Sequence, residues 1–580
     1  MYIETIPNRQ SRPTILLREG WREGKTVHKR TLANLTHWPA AKIETFRLLL
    51  QDVPLVTPQS LFVVERSLPH GTVEAILGTI RQLSLDTVIA AKPCRERQLV
   101  LAMITERLTH PSSKLGTTRL WHTTTLAEEL GVVHATEDDL YDAMDWLLAR
   151  QARIEQKLAK RHLARGRHVL YDVTSSYYEG RTCPLAQFGY NRDQKRGKTS
   201  IVYGVLTDSD GRPIAVEAYR GNTADATTIP DQVAKLRTRF HLDRVVLVGD
   251  RGTLTQTQID YLKRYPGLGW IAALRFEAIR KLADTQPLDR ALFAQQPLAE
   301  ITSGHFPGER LVVCYNPLVA QERHRKRTAL LEATETELAA IAREVARRTK
   351  KRFTKAAIGQ KVGPVLRHYH MAKHFEVEID DGGVRYTRRL ASIQREAELD
   401  GIYVIRTSEP AAHLSAEDTV RGYKNLAVVE RLFRALKGIN ILVRPIHHHQ
   451  EKRVRAHILL CVLAYYVEWH MRQALAPLLF DDEELRDNRT TRDPVAPAQP
   501  SPSAQQKKAS GVTPEGFPLH SFDTLLAALG TRCRNRCRAT PGPEGFTFSQ
   551  LTEPTLLQQR ALQLLGVLFP VNGNAILEKP

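Results

Sequence analysis

The chain is short of cysteine and of long apolar runs, and each shortage removes a class of protein. Six cysteines in 580 residues cannot supply a disulfide framework. Cys533 and Cys537 stand four apart in a basic stretch, but a zinc site needs two more Cys or His ligands at comparable spacing. None is near, so two thiols on one helical turn is the expectation. The first nine residues hold no apolar signal core. The longest apolar run, residues 456–467, falls short of the ~18–20 residues that span a bilayer and reads as a buried helix. A reduced, cytoplasmic protein is expected. Positive charge, by contrast, is abundant: 83 Lys and Arg face 63 Asp and Glu, a formal net charge of +20. Such an excess points to a polyanionic partner, nucleic acid first. The chain is long enough for roughly two to four domains.

Residues 1–60 carry short Thr/Val/Ile runs broken by Gly20 and Gly24, the pattern of a small β-rich region. From 61 to 165 the pattern becomes helical. Residues 96–108 bury one face, His110-Pro111 breaks the helix, and 115–130 resumes it. Thr136 with Asp139 resembles a capping box opening a helix through about 164. This segment is either a DNA-binding domain or a structural cap. From 167 the grammar changes. Residues 169–174, 200–206 and 213–218 read as three strands, followed by a helix (about 228–240), a buried strand at 244–250, a helix (254–265) and a strand at 270–274. That order is the order of an RNase H-like α/β fold. Residues 277–400 read as an insertion domain containing a helix, about 321–351, that is polar nearly all round. The core resumes over 401–485. Six prolines with Ser, Ala and Gln in 494–518 give 486–518 the composition of a linker, and 519–580 read as a helical tail.

Three acids stand out. Asp172 and Asp250 end apolar strands, where open α/β sheets place their sites. Glu430 lies on a segment whose Val429, Leu432, Phe433 and Leu436 fall at i, i+3, i+4 and i+7, an amphipathic helix. Tyr423, Glu430, Arg434 and Lys437 form a second stripe beside that buried face.

The segment Tyr423 to Lys437 resembles the signature of bacterial insertion-sequence DDE transposases, Tyr-x2-Arg-x3-Glu-x6-Lys, with Tyr423, Glu430 and Lys437 matching position for position. Leu426 replaces the signature arginine, and Lys424 and Arg421 are the nearby cations that could stand in for it. Tyr171-Asp172-Val173-Thr174 and Gly249-Asp250-Arg251-Gly252 resemble the two aspartate motifs of that family. The runs Gly189 to Asp193 and Gly221 to Asp225 are also similar to it. The resemblance covers about 90–480. It implies an RNase H-like catalytic core, an insertion before the glutamate, and an Asp172–Asp250–Glu430 site.

Three hard oxygen donors suit a pair of Mg²⁺ ions, with Mn²⁺ as a substitute. By the resemblance Asp172 bridges both ions while Asp250 and Glu430 hold one each. The implied activity is cleavage at transposon ends and strand transfer into target DNA. The implied partners are double-stranded DNA, both the terminal inverted repeats and the target, and a second copy of the chain in a homodimer on DNA. Tyr423, Arg434, Lys437, Arg444, Arg453 and Arg455 are the candidate DNA contacts. A stand-alone nuclease on the same fold and a non-catalytic DNA-binding descendant are the alternatives. Gly197-Lys198-Thr199 lacks the glycine five residues earlier that a P-loop needs, Arg192 standing there. His447-His448-His449 point in different directions, which favours DNA contact or plain surface over a metal site.

Overall fold

The computed structural model describes residues 1–9, 11–52, 62–163, 168–286, 288, 293, 297–491, 493–497, 499–539, 547–567 and 576–577. The chain divides into two compact units, one containing Met1–Pro69 and Arg532–Glu553, the other His70–Thr531 and Pro554–Leu568.

In the first unit Tyr2–Ile6, Thr14–Glu23 and Thr26–Asn34 form an antiparallel sheet. A two-residue turn joins its last two strands. Gly24 takes φ +61 there, which a glycine adopts without strain. Helix Ala40–Leu50 follows. Phe62–Pro69, Cys533–Ala539 and Thr547–Leu551 pair antiparallel in a second sheet. Cys533 and Cys537 therefore lie on a strand, not on a helical turn, and the expected helical tail holds three strands among the described residues, the third being Ile576–Leu577. The signal was the alternation of Arg534, Arg536 and Arg538, a period of two.

The second unit opens with helices from Gly71–Gln82 to Gln151–His162. Thr136 caps as expected: its hydroxyl accepts from the Asp139 N–H at 3.3 Å, and the Asp139 carboxylate accepts from the Thr136 N–H at 2.8 Å. The helix so started ends at Leu148, however, and a second runs Gln151–His162. The chain turns at Arg150, whose guanidinium lies 3.7 Å over the Trp146 ring.

Eight strands make the central sheet: β1 (His168–Tyr177), β2 (Ser200–Asp208), β3 (Pro213–Arg220), β4 (Val245–Val248), β5 (Leu268–Ala273), β6 (Leu298–Ile301), β7 (Arg310–Tyr315) and β8 (Ile402–Thr407). Their order is β6-β7-β8-β5-β4-β1-β2-β3. β1, β2 and β3 meander antiparallel, and β1, β4 and β5 run parallel. The expected RNase H-like mixed sheet is present. Every residue of β2 and β4 is buried, as strands covered on both faces must be. The run 456–467 lies, wholly buried, inside helix Glu451–Leu475, which packs on β3 and on helices Arg95–Thr109 and Glu137–Leu148. No helix among the described residues is long and apolar enough to cross a membrane.

The stretch expected to be an insertion from 277 contributes β6 and β7 to the sheet, so the sheet does not stop at 276. The fully buried run Leu311, Val312, Val313, Cys314 is the sequence signal for that. Beyond β7, helix Pro317–Arg347, helix Lys355–His368 and the hairpin Phe375–Asp380/Gly383–Arg388 build a separate core. The long helix is not polar all round. Leu331, Leu338 and Val345 are buried in that core, and a spacing of seven keeps them on one narrow stripe. A buried Arg327–Asp400 ion pair fastens this helix to the chain just before β8.

The Pro-rich stretch is not a free linker. Ser501 caps helix Pro502–Ser510, and Lys507, 6% exposed, donates to the Ala476 carbonyl at 3.0 Å. Asn316 donates to the Val495 carbonyl at 3.1 Å. Side-chain donors to scattered carbonyls leave no compositional trace, so the segment reads as unstructured.

Candidate active site

β1 and β4 run parallel with Leu170 opposite Val248. Asp172 and Asp250 each lie two residues beyond that pair. The two acids therefore come from neighbouring strands close to the same level, and the Asp250 charge acts on Asp172. Asp172 does not end its strand as expected: β1 continues to Tyr177 because β2 pairs with it throughout, whereas β4 stops at Val248. Oδ1 of Asp172 accepts from the Val173 N–H at 2.7 Å. Oδ1 of Asp250 accepts from the N–H groups of Gly252 and Thr253 at 3.0 and 2.6 Å. The other oxygen of each receives no hydrogen bond among the described residues. Burial, and then the Asp250 charge, push the Asp172 carboxyl up to about 7. The two acids thus repel each other.

Two loops frame Asp172. The Gly189–Asp193 run hangs on β1, where the Ser175 hydroxyl donates to the Tyr190 carbonyl at 3.2 Å and accepts from the Arg192 N–H at 3.1 Å. Arg192 pairs with Asp225 of the second loop, and both charges act on Asp172. A Cβ at Gly189 would stand 2.1 Å from the Gly221 carbonyl oxygen, so only glycine permits this backbone contact.

The expected amphipathic helix is two helices, Ala416–Lys424 and Leu426–Lys437, the second packed against β1. Val429, Leu432, Phe433 and Leu436 are buried as the spacing requires. Tyr423 lies in the last turn of the first helix and Glu430 stands on the second, exposed and without an ion pair or hydrogen bond among the described residues. Burial raises the Tyr423 phenol to about 12, and Asp250, Asp172 and Glu430 all push it the same way. One tyrosine thus feels all three expected acids. They do not form a closed ligand shell: among the described residues no group of three or more His, Cys, Asp or Glu stands close enough to hold a metal ion.

The transposase DDE domain family model matches residues 163–467. The chain belongs to that family. No curated protein matches it. Among solved structures it is similar to the piggyBac transposase in a cryo-EM synaptic complex with hairpin DNA, at 11% identity and a TM-score of 0.30, over 69% of this chain and 72% of that one. A likeness that loose carries no argument. Transposases as a class cut and transfer DNA, and DDE domains generally use divalent metal ions. The residues here suit such an ion: two hard carboxylates present unbonded oxygens, and Asp172 is raised by burial and then by the Asp250 charge, both of which a cation would offset.

The cations expected to touch DNA in this transposase differ in their freedom. Lys437 donates to the Ser175 carbonyl at 2.5 Å and to Asp193 Oδ1 at 3.0 Å, and burial pulls its ammonium below the usual range. Arg444 pairs with the same carboxylate at 2.5 Å. Asp193, its side chain 1% exposed, is thus a buried anchor for both, and the sequence reading had not singled it out for that. Its place in the Gly189–Asp193 run was the available signal. Arg455 is held by Glu217 and Glu451, and Arg453 lies 4.4 Å over the Tyr141 ring. Arg434 is exposed with no ion pair or hydrogen bond from its side chain among the described residues. Leu426, in the place of the signature arginine, is buried. The cations considered as substitutes are engaged elsewhere, Arg421 with Asp418 at 2.9 Å and Lys424 with the Val495 carbonyl at 3.2 Å.

Proposed function

We propose that this transposase cleaves DNA at transposon ends and joins the freed 3′-hydroxyls to target DNA, with Asp172, Asp250 and Glu430 as its catalytic groups. The carrying observation is the interacting pair Asp172 and Asp250 on neighbouring strands, with the Asp172 carboxyl raised to about 7, near a tyrosine that feels both and also Glu430. Two like charges on neighbouring strands cost folding free energy and are retained where a function uses them. Asp172 and Asp250 would hold the first of two Mg²⁺ or Mn²⁺ ions, and Glu430, free on its helix, would complete the set when DNA is in place. Divalent ions, when bound, would activate the attacking water or hydroxyl and stabilise the departing oxyanion. Tyr423, its own ionisation suppressed, would offer its proton to a carboxylate once DNA is in place. Arg434 contacts the DNA backbone, and the helices between 71 and 162 contribute to end binding. Two copies of the chain hold the two ends.

Incubating the full chain with Mg²⁺ and the DNA flanking its coding region tests this. Joined products are expected. Nicks without joining would make the protein a nuclease, and binding without cutting would leave a DNA-binding protein.

A further inference from the structure

Away from the acidic pair, between the N-terminal helices and the chain that follows Lys437, lies a cavity of about 490 Å³. Arg107, Lys114, Arg444 and Arg453 line it, with His448 and His457, and none of its lining residues is acidic. Lys114 is 3% exposed, yet its ammonium has no ion pair and no hydrogen bond among the described residues. Arg107, 5% exposed, spends its guanidinium on two carbonyls, Ser112 at 3.2 Å and Ile441 at 3.4 Å, with no carboxylate in ion-pair reach. Nδ1 of His457 is buried without a partner, its Nε2 lying 3.0 Å from the Val443 carbonyl. Buried cations are normally paired, because an unpaired one forfeits several kcal/mol of solvation. Here two stand side by side, unpaired.

We propose that this cavity binds a phosphate group, Lys114 and Arg107 supplying the charge and Arg453 closing the rim. A phosphate brings what the cavity lacks, negative charge and several acceptor oxygens. The electrostatics agree. Burial and the Arg107 charge push Lys114 down to about 7, and burial with the Lys114 and Arg107 charges takes His448 down to about 3. Cys461, on the helix beneath, acts weakly the other way. An anion would reverse those shifts, so phosphate binding near pH 7 takes up protons. The phosphate comes either from a DNA backbone, an arm that rests on the transposase reading, or from a free phosphorylated molecule.

The test compares the full chain with Lys114→Met, which keeps the length of the side chain and removes the charge. Without added anion Lys114→Met should melt at or above the wild type, since an unpaired buried charge has gone. Inorganic phosphate, against chloride at equal ionic strength, should raise the wild-type melting temperature and leave that of Lys114→Met unmoved. Arg453→Gln, at the half-exposed rim, should weaken the response if Lys114→Met does not fold. Anisotropy titrations with duplex DNA identify the source. A salt slope shallower by about one phosphate contact in Lys114→Met assigns a DNA phosphate, and an unchanged slope with the phosphate response intact assigns a free one. A wild type indifferent to phosphate, or a Lys114→Met protein that still responds, overturns the proposal. Asp172→Asn should keep the phosphate response, so a failure of the cleavage chemistry and a failure of this site remain separate results.

Discussion

The acidic pair on the sheet and the basic cavity beside the N-terminal helices hold unmatched charge of opposite sign, and they are built differently. Asp172 and Asp250 are set by local backbone: Leu170 faces Val248 in parallel register, and the turn after that strand holds the Asp250 carboxylate through the Gly252 and Thr253 N–H groups. Lys114 and Arg107 come from two separate helices, Lys114–Leu120 and Arg95–Thr109. Only a short break joins those two helices, but the opposite wall of the cavity, with His448, Arg453 and His457, comes from more than three hundred residues further along the chain. Each region stores repulsion in the folded protein, one suited to a cation and the other to an anion. Local backbone makes the first site rigid and packing makes the second dependent on distant contacts.

The largest expected effect tests the rigid half of this comparison. Changes behind a metal ligand cost 10–100-fold, so loss of the ligand itself should cost more than about a hundredfold. Asp172→Asn should therefore abolish Mg²⁺-dependent cutting in a gel assay. It should also stabilise the metal-free protein at pH 8. The folded Asp172 carboxyl keeps its proton up to about 7, whereas in the unfolded chain it ionises near 4. Its contribution thus favours folding at low pH and is lost as pH rises through about 7. Thermal melts should show the advantage of Asp172→Asn growing from pH 4 to pH 8; an advantage that shrinks would break the argument from repulsion.

Asp193→Asn comes next. It strips Lys437 and Arg444 of their common buried partner, which should lower stability by about 3 kcal/mol, the lower end for breaking a buried pair, because Arg444 is partly exposed. Urea unfolding measures it, and a loss below about 1 kcal/mol would make those contacts incidental. Tyr423→Phe removes one hydroxyl beside the acids and should slow cutting about tenfold, the worth of one hydrogen bond to a charged group, with little change in DNA affinity. Arg434→Gln is the smallest. Its side chain has no partner among the described residues, so stability should stay within about 0.5 kcal/mol, while the salt slope of DNA binding falls by about one.

Much of this was legible because it is periodic. Apolar strands with acids two residues past a paired position, and Val429, Leu432, Phe433 and Leu436 at helical spacing, announce themselves by repetition. The sheet's extension through β6 and β7 was missed because short buried strands inside a charged region do not alternate. The break at Asn425 was missed because Asn425 keeps helical angles, φ −64 and ψ −14, and leaves the apolar spacing unbroken. Asp193 and Lys114 were hidden for another reason: a lone acid or lysine has the same local pattern whether it is buried or solvated.

Chain chemistry alone determined the secondary structure that carries the three acids and the charge that calls for a polyanion, because both depend on residues a few positions apart. Tertiary structure alone decided which charges are matched. Asp193 takes two cations out of play, Glu430 is left free on its helix, and Lys114 faces a cavity without an acid. The physical reason is that desolvation and ion pairing depend on what lies within a few ångströms in space, and in this fold those neighbours come from up to several hundred residues away, as Arg107 and Ile441 do.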